Sequence, residues 1–339
     1  MKEKKSGSIS LANIIAILGL VLLLVCIWLG QALRNGELGG TSVLISVGVT
    51  LGAALLLWLM IKAKGAETST TQWKIVEFST LAVYLALAVL TAPLALNFFS
   101  VLSNKGKLQE TAQKDLTNLN STIQDFKNKE NGYLGETCEG LKNVLKGKSS
   151  GILPKTDVIT FIHEELSAED FKSFDSNYIE EWKNGWEKDI NHVNLIRLKN
   201  KDLDGVEPLE YGKVWDERLA SCKNAILNWQ LLKIPTAIGS IQSLSEDIGK
   251  TLTAFSKNAP FNSITFDSPY KLGTKKADEY ETASEVQKTM KDLSPYTVIG
   301  IAAMVLIHLL ILFNYLMAHR SHRREINQTE FDGGIIINI

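Results

Sequence analysis

The stretch ISLANIIAILGLVLLLVCIWL, residues 9–29, carries no ionised side chain. About 20 apolar residues are what a helix needs to cross a hydrocarbon core of roughly 30 Å. A cleaved signal peptide is the rival reading, because Lys2, Lys4 and Lys5 precede the run. The run exceeds a signal-peptide core and no A-x-A-like site follows it, so it reads as a membrane span. Three further stretches repeat the pattern, at 43–61, 78–99 and 298–317. Trp28, Trp58, Trp73 and Tyr296 lie near their ends, where amphipathic rings favour the interface.

These spans overturn the impression left by bulk composition. A chain of 339 residues with 45% hydrophobic content and a net charge of -1 would pass for a soluble protein, but its apolar residues are gathered in four blocks. The segment 103–293 carries most of the charge. With no long basic run, the chain lacks the clustered Lys/Arg surface that phosphate backbones require, and nucleic acid is excluded as a partner. The expected fold is an all-α membrane protein: four transmembrane helices, with a mainly helical extracytoplasmic domain inserted between the third and the fourth. The domains are then 1–102, with three spans, the soluble segment 103–293, the last span within 294–318, and a tail at 319–339.

Orientation follows from the short flanks. Lys2, Lys4, Lys5, Lys62, Lys64, Lys74, Arg320, Arg323 and Arg324 fall on one side, against Arg34 in the opposite short loop. The side with the Lys/Arg excess is cytoplasmic. Both termini are therefore expected inside and the 103–293 segment outside.

Polar groups within the spans are few. Glu77 and His308 are the titratable residues in or beside the third and fourth blocks, and ionisable groups at such positions are candidates for an ion or proton pathway. Packing is the simpler expectation, with Glu77 one helical turn from Lys74 and His308 bonded to a neighbouring helix. Gly48 and Gly52 form a GxxxG pair in the second span, which permits close approach of another backbone. Pro93 predicts a kink in the third span.

Beyond the third span, Leu116, Leu119, Ile123 and Phe126 recur at spacings of three and four, and Leu134, Cys138, Leu141 and Leu145 continue the period. That is a helix with one apolar stripe. Tyr178, Trp182, Trp186 and Ile190 mark a second helix, and Leu219, Cys222, Ile226 and Trp229 a third. The stretch 243–255 reads as a fourth. Segments 104–130 and 277–293 read as stalks that run side by side back to the membrane. Cys138 and Cys222 lie where a disulfide can persist, yet both fall on apolar stripes, so a bridge and two buried free thiols are both open.

Patterns that would carry chemistry are few. Asn200, Asp202, Asp204 and Gly205 match the front half of a calcium-binding loop, but the twelfth position is Tyr211 and Lys199 and Lys201 add positive charge. A turn between helices explains the pattern better, and no metal or cofactor is expected. No P-loop, GxGxxG, GxSxG or HExxH occurs, and no enzymatic activity is expected. The tail is distinctive: HRSHRR at 319–324 precedes FDGGIIINI at 331–339. Phe331, Ile335, Ile336 and Ile337 have high strand propensity and read as a peptide that adds to a partner's sheet edge, with an interfacial anchor or a tail packed on its own bundle as the plainer reading.

Three amino-terminal spans, a large helical segment over 103–293, a last span and a short tail ending FDGGIIINI together resemble the TssN family, inner-membrane components of Bacteroidota type VI secretion systems. The resemblance covers the whole chain as architecture. It implies an inner-membrane location with a periplasmic domain, and a structural role without enzymatic activity. It also implies assembly, as an oligomer, with TssO, TssP, TssQ and TssR in an envelope-spanning complex. A membrane sensor acting through a partner and an oligomeric transporter or channel subunit are the competing readings.

Overall fold

The computed structural model describes residues 10–65, 71–268 and 270–318. The tail residues Phe331, Ile335, Ile336 and Ile337 lie outside them, as do Lys2, Lys4, Lys5, Arg320, Arg323 and Arg324. In chain order the helices begin with α1 (Leu11–Asn35), α2 (Gly40–Lys64), α3 (Thr71–Ser103) and α4 (Lys105–Ser149). There follow α5 (Thr156–Glu164), α6 (Ser176–His192), α7 (Gly212–Leu227) and α8 (Ile234–Asn258). A hairpin of β1 (Ile264–Ser268) and β2 (Lys271–Thr274) precedes α9 (Val286–Asp292) and α10 (Val298–Met317). The chain divides into two compact units, one holding α1, α2, α3 and α10, the other formed by Gln109–Lys233 and Ala237–Gln287.

In the first unit, α1, α2, α3 and α10 are each long and apolar enough to cross a membrane. The helices begin and end where local chemistry dictates. The Ser10 hydroxyl accepts from the Asn13 N–H at the start of α1, and Gly36, at φ 76°, closes its end by donating to Ala32. Only glycine reaches that left-handed conformation without strain. Thr297 caps α10 in the same way as Ser10 caps α1, accepting from Gly300 at 3.1 Å. The bundle buries Leu23, Ile27, Met60, Tyr84, Leu96 and Ile311 in a common core. Its outer face stays apolar: Leu44, Leu90 and Val298 are 74%, 77% and 85% exposed. In water such side chains would forfeit about 25 cal/mol for each Å² of apolar surface, so this face requires a lipid-like surrounding.

Close helix contact in the bundle comes from α1. The backbone at Gly30 lies against the Leu94 carbonyl of α3, where a side chain would collide. A Cβ on Gly19 would stand 2.9 Å from the Ile311 nitrogen of α10. The GxxxG pair of α2 does not serve this purpose. Gly48 has nothing within 4 Å of where its Cβ would be, and Gly52 meets only the end of the Leu87 side chain at 3.7 Å. The face of α2 turned to its neighbours is instead Ser46, Thr50, Ala53, Leu57 and Met60.

The second unit is built on α4, a single helix across both stretches of the apolar stripe. Phe126 anchors its core, packing edge-to-face on Phe255 of α8 at 5.2 Å and on Tyr280 at 5.4 Å between ring centroids. Trp186 of α6 continues the cluster to Phe255 and Phe261, at 6.0 and 5.4 Å. Such geometry sets the electropositive ring edge against the electronegative ring face. Asp175 starts α6 by accepting from the Asn177 and Tyr178 N–H groups. The hairpin is antiparallel, with Ile264 opposite Thr274 and Phe266 opposite Leu272. The far edge of β2 is covered by the start of α5: Asp157 accepts from the Leu272 N–H, and the Lys155 N–H donates to the Tyr270 carbonyl.

Two sequence expectations change here. The return segment is not a helix over 277–293, because regular helix begins only at Val286. Residues 275–285 have no regular secondary structure and are bonded to α4 and α8. Trp229 lies beyond the end of α7, at φ 48°.

Overpacking a tight helix contact costs about 1–3 kcal/mol. Gly30→Leu should therefore destabilise the bundle by that order. Gly48→Leu, which adds a side chain to open space, should stay within about 0.5 kcal/mol of the parent. Thermal unfolding of the full chain in detergent micelles checks both.

Candidate functional site

Ionisable groups that are buried have to be there for a reason, since an uncompensated charge in a dry interior is costly. Among the described residues of the first unit, Glu77 is such a group and His308 is half-buried. Glu77 is 3% exposed on α3 and accepts from the Tyr315 hydroxyl of α10 at 2.7 Å. Lys64 of α2 donates to the Tyr315 carbonyl at 2.6 Å and lies over the Tyr315 ring. One tyrosine thus ties the carboxylate of one helix to the ammonium of another. His308 shares a 2.8 Å hydrogen bond through Nδ1 with the Tyr84 hydroxyl. Both titratable residues singled out in the spans are joined to tyrosines of facing helices, an arrangement that locks helix to helix.

The second unit holds the larger cluster. Glu130 of α4 is fully buried. It accepts from the Asn262 side-chain amide, and from the Tyr280 hydroxyl at 3.2 Å. Asn262 also donates to the Ser256 carbonyl at 3.0 Å. The Ser256 hydroxyl accepts from the Asp278 N–H at 3.1 Å, and the Thr253 hydroxyl accepts from the Tyr280 N–H at 2.9 Å. Around the edge, Tyr133 donates to Asp278 at 2.9 Å, and the Lys275 ammonium lies over the Tyr133 ring. Burial is the main cause that raises the Glu130 carboxyl from 4.5 to about 7, against the lowering effect of its hydrogen bonds. Burial also raises the Tyr280 phenol and pushes that of Tyr133 up to about 12, while it lowers Lys275.

Farther back on α4, Asp115 is 2% exposed. Its Oδ2 accepts from the Ser284 hydroxyl at 2.9 Å and from the Glu285 and Val286 N–H groups at 2.8 and 2.9 Å. Those N–H groups would otherwise be orphaned at the start of α9. Asp115 and Glu130 are 15 positions apart, close to four helical turns, so they point from one side of α4. Together they fasten the irregular return segment along the helix. A carboxyl group with no accessible surface does not reach a substrate, and the cluster is therefore read as a structural lock.

The other candidates are placed as follows. Cys138 and Cys222 are both buried free thiols, so the bridge is not formed. Each packs on the apolar face of its own helix, and burial pushes the Cys138 thiol up to about 11. The 200–205 loop is a turn. Asp204, at φ 51°, pairs with Lys257 at 2.7 Å, and Asp202 accepts from the Asp204 N–H while its carbonyl accepts from Asn258. The Asp204 carboxylate and the Asp202 carbonyl thus fasten the turn to the end of α8. Among the described residues no group of three or more His, Cys, Asp or Glu is placed to hold a metal ion.

Sequence reasoning passed over Glu130 and Asp115, although a signal was present. Glu130 stands four positions after Phe126 and four before Leu134, on the apolar stripe itself. A charged residue in that register marks either a solvated gap or a buried partner. The partners Asn262 and Tyr280 carry no such mark. Compared with known proteins, the chain matches no family model, no curated protein and no solved structure.

Folding raises the Glu130 carboxyl above its ordinary 4.5, so the folded state holds that proton more tightly than the unfolded chain. The contribution of Glu130 to stability is full below 4.5 and is lost as pH rises through about 7. The urea midpoint of α6 and α8, followed by amide exchange in the full chain, should fall between about pH 5 and about pH 8. Glu130→Gln should flatten that slope; an unchanged slope would assign the effect elsewhere. Glu130→Ala, which leaves the buried Tyr280 hydroxyl without its acceptor, should cost about 1–3 kcal/mol.

Proposed function

We propose that this protein is a non-enzymatic structural component of an envelope-spanning secretion machine. In this reading it sits in a bacterial inner membrane with the unit between α3 and α10 on the periplasmic side. The observation that carries the reading is the combination of four membrane-length helices with a separate compact unit inserted between the third and the fourth. The buried ionisable groups of that unit are committed to its own backbone and side chains, which suits a body that bears contacts better than one that turns over a substrate. The architectural resemblance to the TssN family supports the same role, with TssO, TssP, TssQ and TssR as the partners it implies.

Lys62 and Lys64 at the end of α2 and Lys74 at the start of α3 support the orientation, because short basic flanks are retained on the cytoplasmic side. The three native cysteines are buried, which keeps the background low for thiol labelling. In cells with a permeabilised outer membrane, Ser150→Cys should react with a membrane-impermeant maleimide and Gly65→Cys should not. The reverse pattern overturns the orientation. Affinity purification of the tagged full chain from detergent-solubilised membranes should recover envelope or baseplate proteins of a secretion machine. Recovery of the chain alone overturns the scaffold reading.

A further inference from the structure

We propose that the free edge of β1 is a docking site for an extended, basic segment of a partner protein, which adds there as a third strand. The hairpin is a two-stranded sheet, and among the described residues no strand pairs with the far side of β1. The far edge of β2 is closed by α5, as described above, so β1 alone presents an open edge. In an antiparallel pair, alternate N–H and C=O groups of each strand turn away from the partner strand. An unpaired row of such groups is a template for another chain.

The open edge borders a groove of about 400 Å³ between β1 and α4, lined by all five residues of the strand, Ile264 to Ser268. Five residues span about 17 Å, enough to pair with a short extended peptide. The groove keeps its shape because Gly140 of α4 has no side chain: a Cβ there would stand 2.8 Å from Cε2 of Phe266, whose ring rests on the helix. Phe266 thereby holds the strand off α4 at a fixed separation.

The charge of the groove selects the occupant. Glu136 and Glu139 line it from α4, and neither forms an ion pair among the described residues; the Asp267 carboxylate accepts from the Thr265 hydroxyl on the other face of β1. The nearby cation Lys142 is taken by Glu180 at 2.9 Å. Glu136 and Glu139 are three apart on α4 and share a face, about 5–6 Å from each other. Alternate side chains of an incoming strand repeat at a similar interval, about 6.8 Å. Lysine or arginine at alternate positions would meet both carboxylates while the backbone pairs with β1. Backbone hydrogen bonds would give affinity and the carboxylates would choose the sequence. The inference concerns this groove alone and does not depend on the secretion reading.

The test uses the full chain in lipid nanodiscs and a fluorescent peptide of alternating lysine and threonine, about ten residues long. The peptide should bind, and the amides of Ile264–Ser268 should gain protection from exchange. Methylating alternate peptide nitrogens, which removes strand pairing and keeps the charge, should weaken binding at least about tenfold. The variant carrying Glu136→Gln and Glu139→Gln should weaken it to a similar degree, about tenfold. If that variant does not fold, Glu139→Gln alone, at an exposed position, should still give about a threefold loss. Absence of binding up to about 1 mM overturns the proposal. So does equal binding of the methylated peptide, equal binding to the folded charge variants, or binding without protection of β1. Occupation of the edge by a second copy, seen as a dimer that the peptide does not dissociate, also overturns it.

Discussion

Two carboxyl groups on one helix hold the second unit closed. The return segment 275–285 has no helical bonds of its own, yet it carries a full set of backbone donors and acceptors that must be satisfied where buried. Asp115 takes the Glu285 N–H, the Ser284 hydroxyl and the Val286 N–H at the start of α9, and Glu130 takes the Tyr280 hydroxyl that pins the middle of the segment. Thr253 and Ser256 of α8 take the N–H groups of Tyr280 and Asp278. The long helix α4 is thus a rail against which an otherwise irregular stretch of chain is fixed at its middle and at its far end. The aromatic cluster of Phe126, Phe255 and Tyr280 lies between the two fastenings and fills the space they define.

The first unit solves a different problem with similar means. In an apolar surrounding there is no water to receive a stray hydroxyl, so each needs a protein acceptor. Ser46, Thr50, Thr80 and Thr91 donate back to carbonyls of their own helices, at 2.6 to 2.8 Å. The stronger polar groups bridge helices instead, as Glu77 does to Tyr315 and His308 to Tyr84. These are fixed contacts between α3 and α10, with Lys64 adding α2 to one of them. Close packing through Gly19 and Gly30 brings α1 into the same body.

Polar burial therefore plays a structural part in both units, and the surface left over is where binding would occur. On the second unit that surface includes an open strand edge beside unpaired carboxylates. On the first it is an apolar belt that matches lipid. Those two exteriors suit two different media, one apolar and one aqueous.

The sequence by itself determined the four apolar helices, because an uncharged run of about 20 residues has few alternatives. It also determined the apolar stripe of α4 and the faces of α6 and α7, since a period of 3.6 is a local property of the chain. Tertiary structure alone decided which polar residues matter. Glu130 and Asp115 find partners 132 and 170 positions away, in Asn262 and Glu285, and no local pattern encodes a contact at that separation. The same holds for the glycines. Gly48 and Gly52 carry the recognisable motif and face little, whereas Gly19 and Gly30 carry none and meet neighbouring backbones. Which face of a helix is turned to a neighbour depends on every other helix in the bundle, so motif spacing permitted close approach but did not place it.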